Sequence, residues 1–352
     1  MPRRRLPEEA GIFLVLVIVL IVLGALSPSF RTVSNGLTLL LNGSVIAFLA
    51  LGQTFVLLTG GIDLSTGANV AMTGVLAPLL MEKGLPWPVA AVLALTAGAL
   101  LGALNGAIIH YVKIPAFIAT FSTMGVASSI PLIITGANSI TVIDAGFAVV
   151  GQGRILGVPV PVVLLAISVV LAWFLLSWTK NGVHIYALGG NQAAARLAGV
   201  SVGRTTMMVY AISGLCAGMG GLISTSRLMV GFPATGLGNE LFFSIAAAVV
   251  GGVSLFGGVG SVAGAMIGAV LISAVSNGMN VLNVSSYWQS LVIGLIILAG
   301  VSLDTYRRTL AGRPLPGALG RVTRRKRQDR AEAPLPPAEP DLAPPLSPRS
   351  GS

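Results

Sequence analysis

Transport and catalysis both need side chains that carry charge, protons or hydrogen bonds, and within its apolar parts this 352-residue sequence offers few of them. Two carboxylates interrupt the apolar runs, Asp63 and Glu240. Both fall at the ends of runs, whereas a proton relay sets carboxylates or histidines in the middle of a span. Each is also placed to start a helix, Asp63 by capping and Glu240 by facing the positive end of the macrodipole. The two histidines, His110 and His184, stand far apart, and the one cysteine, Cys216, lies inside an apolar run. No metal site, disulfide or cysteine-based zinc site is expected. The chain has no G-x-x-x-x-G-K-[ST] loop, no H-E-x-x-H and no carboxylate pair, so it is not expected to be an enzyme. What remains is neutral: Asn42, Gln53, Asn69, Asn105, Ser122, Asn277, Asn280 and Gln289. Amides and hydroxyls suit an uncharged, polyhydroxylated solute. They suit plain helix–helix hydrogen bonds equally, at about 1 kcal/mol each.

The elements that carry these residues are dictated by composition. Hydrophobic residues make up 54% of the chain and charged residues 9%, with 45 glycines. So few charges cannot cover a wet surface, and the solvent of such a chain is lipid. Runs long enough to span a bilayer, or nearly so, fall at 12–27, 36–58, 67–82, 87–111, 115–135, 157–178, 206–227, 241–257, 261–282 and 286–303. The expected fold is therefore all-α, a polytopic transmembrane helix bundle of about ten spans.

Charge sets the orientation. Arg3, Arg4 and Arg5 precede the first run, which resembles a signal peptide. Pro28 after Ala25-Leu26-Ser27 would hinder cleavage, so the run is read as a retained span. With the N-terminus in the cytoplasm and an even number of spans, Lys113, Lys180, Arg196, Arg204, Arg307 and Arg308 fall inside. Arg31, Lys83, Arg154 and Arg227 fall outside beside Glu82, Asp144 and Glu240. The excess is inward and places both termini in the cytoplasm. Most of the net charge of +10 sits in the tail, including Arg324-Arg325-Lys326-Arg327. The run reads as a cytoplasmic anchor rather than as a nucleic-acid site. Residues 1–305 are thus expected to form the membrane domain, and 306–352 a basic, Pro-rich, disordered tail.

Two loops stand apart from the spans. Residues 136–156 read as an external loop that dips into the protein. Residues 179–205 form the longest internal loop, in which Asn191 is a good N-cap, 192–198 a short Ala-rich helix and Gly199 a good C-cap. Such a helix suits a partner's groove, or is an ordinary surface helix. An internal echo relates Thr59-Gly60-Gly61-Ile62-Asp63-Leu64-Ser65-Thr66-Gly67 to Val250-Gly251-Gly252-Val253-Ser254-Leu255-Phe256-Gly257-Gly258. Gly-broken points of this kind mark a pathway or gate in many transporters, or simply supply tight turns.

At the internal loop the sequence resembles the ABC-importer permeases that serve ribose, xylose and related sugars. Ala193-Ala194-Ala195 followed after three residues by Gly199 looks like the E-A-A-x-x-x-G coupling motif of such permeases, with Ala193 where the family carries Glu. Leu58-Thr59-Gly60-Gly61-Ile62-Asp63-Leu64-Ser65, Val249 to Gly258, and Asn277-Gly278-Met279-Asn280 with Ser285 to Gln289 are similar to further segments of that branch. The resemblance covers roughly residues 10 to 305. It implies a permease subunit that moves a pentose- or hexose-like sugar across the bacterial inner membrane. The ATP and magnesium would be held by a separate cytoplasmic ATPase, and this chain would bind no cofactor. A periplasmic sugar-binding protein would deliver the solute. A second permease chain, the same or a sister, would complete the pathway. The resemblance assigns ATPase coupling to Asn191, Gln192, Ala193, Ala194, Ala195, Arg196 and Gly199. The pathway or gate candidates are Gly60, Gly61, Asp63, Asn69, Asn105, Gly251, Gly252, Asn277 and Asn280. Related permeases for branched-chain amino acids or nucleosides are the alternative reading, and a self-sufficient secondary carrier a more distant one.

Overall fold

A computed structural model describes residues 9–310, so Arg3 to Arg5 and the tail beyond 310 lie outside the described residues. The helices are α1 (Glu9–Leu26), α2 (Val33–Leu58), α3 (Thr66–Glu82), α4 (Trp87–Ala107), α5 (Ala116–Thr135), α6 (Ala145–Gln152), α7 (Val160–Trp178), α8 (Lys180–Gly190), α9 (Gln192–Leu197), α10 (Val202–Leu228), α11 (Glu240–Val250), α12 (Val262–Val281) and α13 (Ser286–Leu310). A π turn over Ile108–Val112 prolongs α4. Among the described residues eight helices are long and apolar enough to cross a bilayer, and the molecule is a polytopic helical membrane bundle.

The other two expected spans differ from those eight. The run at 67–82 is α3, a helix of 17 residues. The run at 241–257 yields only the 11 residues of α11, because Gly251-Gly252 ends the helix at Val250. At 1.5 Å per residue α11 is about 16 Å long, half a bilayer core. The missing half is not helical. After α10 the chain turns back along α3, with Gly231 packed on Pro78 and Gly236 on Val70. It therefore re-enters the bundle before α11 begins.

Close approach of small residues builds the centre. Gly98, Gly102 and Gly106 recur every fourth residue on one face of α4. A Cβ at Gly98 would meet Gly214 O at 3.0 Å, one at Gly106 would meet Met207 Cα at 2.6 Å, and one at Gly102 would overlap Tyr210 O. In lipid, helices have no hydrophobic reason to associate, so this backbone-to-backbone packing of α4 on α10 replaces it. α2, α10 and α12 are the inner helices, with 72%, 67% and 61% of their spans buried. α1 and α13 are peripheral, at 11% and 6%.

Residues 136–156 do dip into the protein. Ile140–Thr141 pairs antiparallel with Val230–Gly231. Asp144 caps α6 by accepting from Gly146 N at 2.7 Å and Phe147 N at 3.0 Å. Phe147 is fully buried beside Trp87, and Gly151 N–H donates to Ser226 Oγ at 2.7 Å.

Candidate transport core and coupling face

The turn after α2 is held by its glycine and by its acid. Gly60 takes a left-handed φ of 78°, and the amides of Gly60 and Gly61 donate to Leu57 O and Val56 O. This is the Schellman closure of a helix end, and it reverses the chain. Asp63 is then carried back among the helices, where it is 1% exposed. Its carboxylate accepts from Ser65 N at 3.0 Å, Ser65 Oγ at 2.6 Å and Ser213 Oγ of α10 at 2.8 Å. Among the described residues none of these partners is a cation. The acid thus does more than start α3, whose N-cap is Ser65.

Neighbouring amides and hydroxyls close round the same turn. Gln53 Nε2 donates to Asp63 O, and Asn105 Nδ2 donates to Ser65 Oγ at 2.8 Å. Thr120 of α5 and Tyr210 of α10 both donate to Ile62 O, at 3.1 and 3.3 Å. One helical turn further on, Asn69 Nδ2 bridges Gly98 O and Gly214 O at 3.1 Å each. The structure therefore brings Gly60, Gly61, Asp63, Asn69 and Asn105 together. They form a junction linking α2, α3, α4, α5 and α10, with Asp63, Asn69 and Asn105 buried and Gly60 exposed, not an open binding surface. Gln53 and Asn105 are 0% exposed. The amide oxygens of Gln53, Asn69 and Asn105 are buried without a partner among the described residues.

Gly251 and Gly252 lie at the same end of the bundle. Gly258 N–H, in the turn between α11 and α12, donates to Leu58 O at 2.9 Å, so the two broken helix ends are joined. Asn277 and Asn280 are not part of this group. They stand at the opposite end of α12, where Asn277 exchanges two hydrogen bonds with Asn35 and Asn280 accepts from Gln289 Nε2 at 2.6 Å. Their geometry fastens α12 to α2 and α13. At that opposite face a cavity of about 680 Å³ opens between α3, α5 and residues 138–144, lined in part by Glu82, Thr135, Asn138, Thr141 and Asp144.

The candidate coupling face is the stretch of α8 and α9. Asn191 caps α9 as expected, its Oδ1 accepting from Ala194 N at 3.0 Å, and Gly199 takes a φ of 84°. The helix ends at Leu197, one residue before the expected end. Gln192, Ala193, Ala194 and Arg196 are exposed while Ala195 is buried, and Leu197 is 91% exposed. α8 lies where the sequence predicts only loop, and Gly182, Gly189 and Gly190 do weaken its helical propensity. The signal it did carry was Thr179 as N-cap and the buried series Gly182, Ile185 and Leu188. Tyr186 on α8 donates to Gly260 O at 2.9 Å, and burial raises its phenol above the ordinary tyrosine value, so it stays a donor. Tyr186, Tyr210, Thr120 and Ser213 had no recognisable sequence signal, since each is a single hydroxyl in an apolar run.

Comparison with known proteins agrees with this architecture. Residues 35–301 match the family described as branched-chain amino acid transport system / permease component. The chain is 41% identical over 305 residues to the ribose import permease of Haemophilus influenzae, covering 86% of this chain and 94% of that protein. It is 36% identical over 299 residues to the D-allose transport system permease of Escherichia coli, covering 84% and 91%. The L-arabinose transport system permease of the same organism is 34% identical over 304 residues, covering 86% and 92%. No solved structure matches. The chain belongs to this family of membrane permease components, among whose members are the sugar-import permeases of ABC transporters.

Proposed function

We propose that the chain is the membrane-spanning subunit of an ATP-driven importer that carries a simple sugar, a pentose or hexose, across the bacterial inner membrane. The observation that carries this reading is identity of 34–41% with ribose, allose and arabinose permeases over 84–86% of the chain. The family description names branched-chain amino acids, and it supports a second reading. The sugar reading is preferred because three separately named sugar permeases align across nearly their whole lengths.

On this reading the α8–α9 hairpin is cytoplasmic and docks an ATPase made as a separate chain, which holds ATP and magnesium. Leu197, exposed to 91% outside the spans, is available to such a partner. With Ala193 where related permeases carry Glu, docking rests on Leu197, the Ala193–Ala194 face and Arg196. A periplasmic binding protein delivers sugar at the opposite face, and a second permease chain completes the pathway. The test is reconstitution in liposomes with the ATPase and binding protein encoded beside it. Ribose uptake is expected with ATP alone as energy source, and leucine is expected not to compete. Uptake by this chain alone down an ion gradient would remove the reading, and leucine uptake would replace the sugar with the amino acid.

A further inference from the structure

The turn over residues 251–261 receives more of the molecule than any loop has reason to. Gly258 N–H holds Leu58 O of α2, Tyr186 Oη of α8 holds Gly260 O at 2.9 Å, and Ser254 Oγ donates to Asp304 of α13 at 2.9 Å. Ser261 Oγ donates to Glu9 of α1 at 2.8 Å. The turn is closed on itself by Ser254 N–H to Val259 O at 2.9 Å and Gly257 N–H to Ser254 O at 3.1 Å. It is also fixed to both helices that leave it. A Cβ at Gly251 would overlap Gly264 O, and one at Gly268 would overlap Ala247 O, so α11 and α12 lie backbone to backbone.

Gly189, near the end of α8, sits in the middle of this joint. A Cβ there would overlap Leu58 O and stand 2.5 Å from Gly258 N, while Gly257 packs on Gly189 itself. The last turn of α8 therefore touches the end of α2 and the α11–α12 turn at once. α11 starts half-way across the bundle, so a shift of α8 reaches mid-depth through one short rigid element.

We infer that Gly189 and Tyr186 are positioning residues that pass the ATP-driven movement of the coupling face to α11 and the end of α2. This rests on the reading of α8–α9 as the ATPase-docking hairpin. Neither residue is asked to touch sugar or nucleotide.

The experiment uses the full chain with its ATPase and binding protein in liposomes, and reads ribose imported per ATP hydrolysed. Gly189→Ala is expected to lower that ratio about tenfold, and Tyr186→Phe, which removes only the hydroxyl, about threefold, the range found for residues along a coupling network. The ratio is the decisive reading, because a merely structural loss reduces the amount of assembled complex and leaves import per ATP the same. A wild-type ratio in assembled Gly189→Ala overturns the inference. Where Gly189→Ala does not assemble, a wild-type ratio in Tyr186→Phe overturns it. A wild-type complex that hydrolyses ATP but imports no sugar defeats the underlying permease reading instead.

Discussion

The two Gly-Gly turns, one after α2 and one after α11, look alike in sequence and are alike in backbone, but one residue out of register. Gly60 and Gly252 are the left-handed residues, with φ of 78° and 92°. Around them Gly61 N–H reaches Val56 O and Val253 N–H reaches Ala248 O, the same Schellman closure. The geometric equivalence thus pairs the first glycine of one motif with the second of the other. Each turn also holds a serine–carboxylate hydrogen bond, with the partners reversed. In the first, the acid is in the turn and Ser213 comes from α10. In the second, Ser254 is in the turn and Asp304 comes from α13. The first turn is sealed by side chains from four helices, which bury Asp63 although Gly60 stays exposed. The second is held by its own backbone together with single hydrogen bonds from α1, α2, α8 and α13, and its acid is partly exposed. The echo therefore marks two halves of one joint rather than two copies of one site.

The contrast is sharpest at the acids. Asp63→Ala strands the Ser65 amide and two hydroxyls in a buried place, and is expected to cost about 3 kcal/mol, read as a lower unfolding midpoint in detergent. Next come Gly60→Ala and Gly252→Ala, each expected to cost about 1–2 kcal/mol because a Cβ disfavours the left-handed conformation. Near-equal losses would support the common motif, and a large inequality would break it. Ser254→Ala removes the hydrogen bond to a partly exposed carboxylate and the weaker one accepted from Phe256 N–H, and about 1 kcal/mol is expected. If it destabilised as much as Asp63→Ala, the distinction between a sealed and an open turn would fail. The smallest effect is expected for Asp63→Asn, below about 1 kcal/mol, because an amide can still accept from Ser65 while Ser213 rotates to accept from it. A loss equal to that of Asp63→Ala would show that the charge, not the hydrogen bonding, is what the turn uses.

Legibility in the sequence followed the range of the interaction. Eight spans were readable because lipid imposes length and apolarity residue by residue. α11 is shorter than the apolar run predicts, since apolar residues continue past Gly251 and only the turn geometry stops the helix. α8 differs in the opposite sense: its glycines argue locally against helix, while the close approach of Gly189 to Leu58 and Gly258 exists only in three dimensions. Asp63 and Gly60 could be singled out as a break. Their sealing by Ser213 and Tyr210, some 150 residues away along the chain, could not. Asn277 and Asn280 carry the residue type of a sugar contact, yet amides of the same type face them from α2 and α13.

The half-length of α11 also governs how the protein can be made. Eleven residues, two of them polar, are too few to partition into a bilayer as a unit, and the irregular backbone at 229–239 would leave bare amides in hydrocarbon. Gly231 and Gly236 find their surroundings on α3, and α11 finds its own on α12. This stretch is therefore expected to seat itself beside spans that have already crossed the bilayer, with α2 and α12 as the two faces that receive α11. A chain cut before α12 would lose one of those two faces.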